Sequence, residues 1–161
     1  MSIKGVGIAV DDNIVNGNLS ILKKILDFNS NIEFDYIEIP SSGLGVIENG
    51  MLIKEQCEVV RNMLRHYPFK YTVHAGPDDL TLFSINNEEH FKILKASIEF
   101  AGFIDSKIVV YHGGFASIDK NNFSHFAKEF GVNNLEGIGN ILLKREVKQL
   151  QILADFAKEY D

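Results

Sequence analysis

Apolar residues follow two rhythms along this chain. Four short β-branched or aromatic runs predict strands: residues 5–10 (GVGIAV), 35–40 (DYIEIP), 70–75 (KYTVHA) and 107–112 (KIVVYH). Each breaks off at a glycine, proline or charged residue. Between and after them, apolar residues recur at helical spacing: Leu19, Leu22 and Leu26; Ile53, Cys57, Val60 and Leu64; Phe91, Leu94, Ile98 and Ala101; then Leu143, Val147, Leu150, Ala154 and Ala157. Asn16-Gly17-Asn18 breaks the chain ahead of the first helix and Pro68 stops the second. Asn86 or Asn87 caps the third, and Gly102 lies near its end. Residues 41–51 read as a glycine-containing surface loop, and 123–140 as a longer connection before the last helix. A strand-helix unit is thus written four times, which predicts an α/β fold with a parallel sheet and right-handed crossovers.

Alternation within the strands assigns faces, because side chains two apart point the same way. Tyr36 goes with Glu38, Thr72 with His74 and Val110 with His112; Ile37, Ile39, Tyr71, Val73, Val109 and Tyr111 face the opposite, helix-covered side. The first face therefore carries a polar, metal-competent side chain at three strand ends, at positions 38, 74 and 112, separated by 36 and 38 residues. The C-terminal ends of parallel strands are where chemistry is usually built. Two imidazoles and a carboxylate delivered there can bind a divalent ion together; hydrogen bonding to loop backbone or to a neighbouring carboxylate is the other role open to each histidine. Their matching positions on consecutive units favour the site role. A carboxylate on that face needs a cation, a donor or water, so Glu38 is a candidate for substrate or metal contact or for structural pairing. Gly113 and Gly114 allow close backbone approach to a ligand after His112, and a plain tight turn accounts for them equally well. Asp11 and Asp12, at the C-terminal end of the first strand, read as turn residues in preference to a catalytic carboxylate, and His66, His90 and His125 as surface residues. The 41–51 segment lacks the Lys-Ser/Thr ending of a phosphate loop, and there is no CxxC pair, GxGxxG fingerprint or helical HExxH.

Composition narrows the class. With 161 residues, 45% of them hydrophobic, the chain can bury one sizeable core, so a single domain is expected. A formal charge of −6 argues against a general nucleic-acid surface without excluding a local basic groove. The single Cys57 falls in a helical pattern, reads as a buried structural thiol and fits a reducing compartment. The N-terminal apolar run is too short for a secretory core and no stretch approaches a membrane span, which leads to the expectation of a cytoplasmic protein.

The segments FDYIEIP, YTVHAGPDDLTLF and IVVYHGGF, at these separations, resemble the first four strands of the xylose isomerase-like TIM barrels. That superfamily includes sugar phosphate isomerases and epimerases as well as zinc-dependent apurinic/apyrimidinic endonucleases. The resemblance implies that residues 1–161 form the N-terminal half of such a barrel, about four βα units, since a complete one needs roughly 250 residues. On the sugar branch it implies a small carbohydrate substrate contacted by Glu38, His74, His112 and Gly113. On the endonuclease branch it implies His74 and His112 as metal ligands. A divalent metal (zinc, manganese, magnesium or cobalt) is the expected cofactor. The family's glutamates on strands five and eight have no counterpart here, so the resemblance implies a fragment, or a half-barrel completed as a homodimer or by a complementary half. Metal-assisted proton transfer on a sugar is the leading expectation; abasic-site phosphodiester cleavage and a non-catalytic binding or assembly module are the alternatives.

Overall fold

The computed structural model describes residues 5–77, 81–82, 87–113 and 120–160. Its elements run β1 (Gly7–Ala9), α1 (Asp12–Val15), α2 (Leu19–Asn29), β2 (Tyr36–Pro40), β3 (Ile47–Glu48), β4 (Met51–Leu52), α3 (Lys54–Leu64), β5 (Lys70–His74), α4 (Asn87–Phe103), β6 (Val109–Val110), α5 (Lys120–Phe130) and α6 (Leu135–Ala157). A 3-10 turn, Lys158–Tyr160, follows. Four strands form one parallel sheet in the order β1-β2-β5-β6. Strands adjacent in the sheet are consecutive in the βα repeat, as in one wall of a barrel.

Register explains why the three marker residues meet. Ala9 pairs with Glu38 and Glu38 with Thr72, while His74 pairs with Val110, two residues before His112. The opposite face is sealed as expected: Ile37, Ile39 and Val73 are fully buried against Leu22 and Leu26 of α2, Cys57, Val60 and Leu64 of α3, and Phe100 of α4. Each such side chain contributes about 1.5–3 kcal/mol by leaving water. Capping fixes the helix starts, with Asp11 Oδ1 accepting from Asn13 N at 2.8 Å and Asn18 Oδ1 from Ser20 N at 3.0 Å.

The structure corrects several expectations. Residues 41–51 are not an exposed loop: Ser41, Leu44 and Val46 are buried, and the segment leads into an antiparallel hairpin of β3 and β4. The hairpin turns on Asn49 and Gly50, both at positive φ (51° and 72°), the conformation a two-residue Asn-Gly loop requires. Part of the connection read at 123–140 is helical, as α5 and the first turns of α6. Asn134 caps α6 by accepting from Gly137 N at 2.7 Å. The buried stripe of α6 is Ile138, Leu142, Glu146 and Leu153, whereas Leu143 and Val147 are exposed. Gly102 does not end α4, which runs one residue further; Asp105, in the left-handed region at φ 59°, turns the chain beyond it. Asn87 is the first residue of α4 and is buried, donating to Gln149 Oε1 at 3.1 Å and accepting from Arg145. Asn86 lies outside the described residues.

Candidate functional site

At the C-terminal ends of the sheet strands, Ala9, Asp11, Asp12, Glu38, His74 and His112 line one cavity of about 340 Å³. Parallel pairing places these ends on one rim. The two histidine rings meet edge to face, with centroids 4.7 Å apart at 86°. His74 Nδ1 lies 2.9 Å from Glu38 Oε1, and Thr72 Oγ1 donates to Glu38 Oε2 at 3.5 Å. An ionised carboxylate only accepts, so the bond to Glu38 puts the proton of a neutral His74 on Nδ1. The side chains of His74 and Glu38 are 18% and 21% exposed, open enough for a ligand and closed enough to strengthen the pair electrostatically.

The surroundings hold this rim in place. Ser41 N donates to His74 O at 2.9 Å, and Ser41 Oγ accepts from Gly76 N at 3.0 Å while bonding Ser97 Oγ of α4 at 2.9 Å. The segment after β2 is thereby tied to the end of β5. On the helix side, Tyr111 donates to Glu146 Oε1 at 2.6 Å and accepts from Leu82 N at 2.9 Å, which anchors the strand end that carries His112. Burial, then the bond to Glu146, pushes the Tyr111 hydroxyl above its ordinary pKa.

Of the residues singled out in the sequence, Glu38, His74 and His112 come together. Gly113 follows His112 at the exposed rim, but a Cβ there would meet open space and its φ is not in the left-handed region, so nothing local requires glycine. Gly114, Asp78 and Asp79 lie outside the described residues. His66 and His125 are exposed as expected. His90 is not: half-buried, it brings Nδ1 within 2.6 Å of Thr81 O. Asp11 and Asp12 do perform turn chemistry, Asp11 as a cap and Asp12 accepting from Ser42 Oγ at 2.8 Å, yet both also line the cavity. Preferring the turn reading over a site role took in only half of their place. Their position just past the end of β1, matching that of His112 past β6, was the available signal.

The donor set bears on a metal. Two imidazoles at this separation can occupy neighbouring positions on one ion, and a carboxylate bound to a ligating histidine is a common way to orient it. Among the described residues, however, no group of three or more His, Cys, Asp or Glu side chains is placed to hold an ion. The described residues alone fall short of a complete protein-built metal centre.

No protein-family model and no curated protein sequence matches this chain. Among solved structures it is similar to one described as the crystal structure of a D-tagatose 3-epimerase-like protein, with a TM-score of 0.63 and 20% sequence identity over 97% of this chain. The match takes in 49% of that structure's chain, so the present chain spans about half of its neighbour's length. The likeness shows the fold, and it agrees with the partial barrel read from the βα repeat. No helix among the described residues is long and apolar enough to cross a membrane.

Proposed function

We propose that this chain supplies the first-half site of a sugar isomerase or epimerase-like enzyme, moving a proton at the carbon beside the carbonyl of a small ketose. The observation that carries the reading is the meeting of Glu38, His74 and His112 on one concave rim, at 2.9 Å for the carboxylate-imidazole bond and 4.7 Å between the rings. The neighbour's description as D-tagatose 3-epimerase-like supports a ketohexose as the first substrate class to try. In this reading Nε2 of His74 takes the proton from carbon. Glu38 holds Nδ1–H and stabilises the imidazolium that forms, a general-base arrangement worth about 10²–10⁴ in rate. The C–H electron pair becomes the enediolate C=C bond, and His112 donates to the carbonyl oxygen as charge develops there. A divalent ion, when bound, supplies Lewis-acid polarisation of that carbonyl. His74 and His112 would contribute to holding it, but Nε2 of His74 cannot bind an ion and take the proton at once, and among the described residues the donors do not complete an ion site.

Inverting the carbon also needs an acid on the other face of the sugar, and we assign that role to a second half of the barrel, whether a continuation of the same polypeptide, another copy or a complementary chain. Support comes from the sheet: among the described residues β1 and β6 each pair with one strand, and Val6, Ile8 and Ile108 in or next to them are 57%, 41% and 50% exposed. A cytoplasmic location goes with the lone, buried, reduced Cys57. The test is solvent exchange: incubating the assembled protein with D-tagatose in deuterium oxide, with and without manganese, is expected to wash deuterium into the carbon beside the carbonyl, and Glu38→Gln to stop it. Retention of that proton in every arm overturns the assignment.

A further inference from the structure

At the other end of the sheet, where β2, β5 and β6 begin and α3 and α4 end, lies a cavity of about 410 Å³. Four cations line it: Arg61 in the last turn of α3, Arg65 just after that helix, Lys70 at the start of β5 and Lys107 just before β6. The chain holds 16 Lys and Arg against 22 Asp and Glu, so four cations around one cavity that has a single lining carboxylate, Asp105, reverse the sign of the whole molecule locally. Among the described residues no carboxylate forms an ion pair with any of the four. Helix polarity accounts for Arg61 and Arg65, which lie at the C-terminal end of α3 where cations are favoured, but not for Lys70 and Lys107, which are brought in by separate strands.

Arg61 adds a second, independent observation. Its guanidinium lies over the Phe103 ring, 5.4 Å from the centroid, and its Nε is sealed from solvent with no hydrogen-bond partner among the described residues. A sealed donor without an acceptor is costly on a charged group, and since that atom is out of a ligand's reach it is the stack on Phe103 that holds the guanidinium at the cavity. Lys70 is similarly propped over the Tyr36 ring at 5.5 Å, and Lys107 Nζ donates to Tyr160 O at 3.2 Å. The cations are held by aromatic faces and a carbonyl rather than neutralised by acids.

We propose that this cavity binds the phosphate group of a small phosphorylated compound, at the end of the sheet opposite the Glu38–His74–His112 rim. Phosphate fits better than carboxylate: a monoester carries about −1.5 to −2 charge on three acceptor oxygens, enough to match several convergent donors, and guanidinium forks suit it. The site is independent of the sugar chemistry argued for the rim.

The experiment titrates inorganic phosphate into the full chain at constant ionic strength set with chloride, read by calorimetry and by backbone amide NMR shifts. The expected result is saturable one-site binding with shifts at Arg65, Tyr71 and Ile108 and none at His74 or His112. Arg61→Gln and Lys70→Gln should each weaken it about tenfold, the loss of one charge-assisted contact, while Lys23→Gln, at the exposed Lys23–Asp27 pair of α2, should leave it unchanged. Lys70 is on the surface, so its variant carries the test if Arg61→Gln fails to fold. Unsaturable heats, binding that Lys70→Gln does not weaken, or shifts centred on the histidine rim overturn the proposal.

Discussion

An imidazole held at Nδ1 by a carboxylate cannot turn over without breaking that bond, so Glu38 fixes which nitrogen of His74 is offered to a ligand. Glu38→Gln keeps the shape and removes the charge. It should lower proton-transfer rate by about 10²–10⁴ while moving the melting temperature little, checked by isotope exchange beside thermal unfolding. A protein that unfolds, or one that loses no rate, would show the pair to be structural. Metal affinity belongs at this scale too. With only two imidazoles placed for an ion, equilibrium dialysis should find zinc or manganese bound weakly and lost in either His74→Ala or His112→Ala; tight binding that survives both would place the ion elsewhere. Cys57 gives a third test, since its thiol is fully buried and desolvation pushes its pKa up to about 11 from an ordinary 9.0. The unfolded thiol therefore ionises first, so stability holds below pH 9.0 and falls as pH rises toward about 11. Denaturant midpoints across that window should drop less for Cys57→Ala than for the unaltered chain, and a disulfide reagent should label Cys57 only on unfolding. The marker residues were readable from alternation at strand ends. Asp11 and Asp12 were only half legible: their place past the end of β1 marked the rim, but a carboxylate that caps a helix looks the same in sequence as a plain turn residue.

Helix α6 shows where element-level reading went astray. Two apolar stripes share the helix, and the sequence favours the one through Leu143 and Val147 because the neighbouring stripe is interrupted by Glu146. The fold buries that second stripe, and the Tyr111 hydroxyl at 2.6 Å makes the glutamate tolerable there. Leu142→Ala, at a fully buried site packed with Ile138 and Phe126, should therefore cost about 2–5 kcal/mol by denaturant unfolding. Leu143→Ala, 51% exposed, should cost no more than about 0.5 kcal/mol. Equal losses would contradict the packing. The β3–β4 hairpin was legible in principle, since Asn49-Gly50 is the strongest short hairpin signal; its strands, two residues each, were too short to show alternation. Behind it, the Ser41–Ser97 bond at 2.9 Å welds the segment after β2 to α4. Ser41→Ala takes the side-chain acceptor from Gly76 N, while Ser97 Oγ keeps its bond to Ile93 O, and should cost about 1–3 kcal/mol by the same measurement.

For the molecule as a whole, the parallel order β1-β2-β5-β6 followed directly from a repeat of strand, polar strand end and helix, which is why the architecture could be read at all. What covers the inner face could not be read, because whatever packs there leaves no pattern in these 161 residues. If a second half completes the sheet, light scattering at micromolar concentration should give about twice the chain mass for the homodimer, or a mass that doubles on adding a complementary half; a strictly monomeric species that shows full exchange activity would contradict this. The central claim is that one ligand engages both rings of the rim. The most direct check follows the imidazole NMR signals of all five histidines during titration with a ketohexose. His74 and His112 should shift together along one saturable curve, weakened in Glu38→Gln, with His66 and His125 unmoved; rings that respond separately, or do not respond at saturating sugar, would contradict the account.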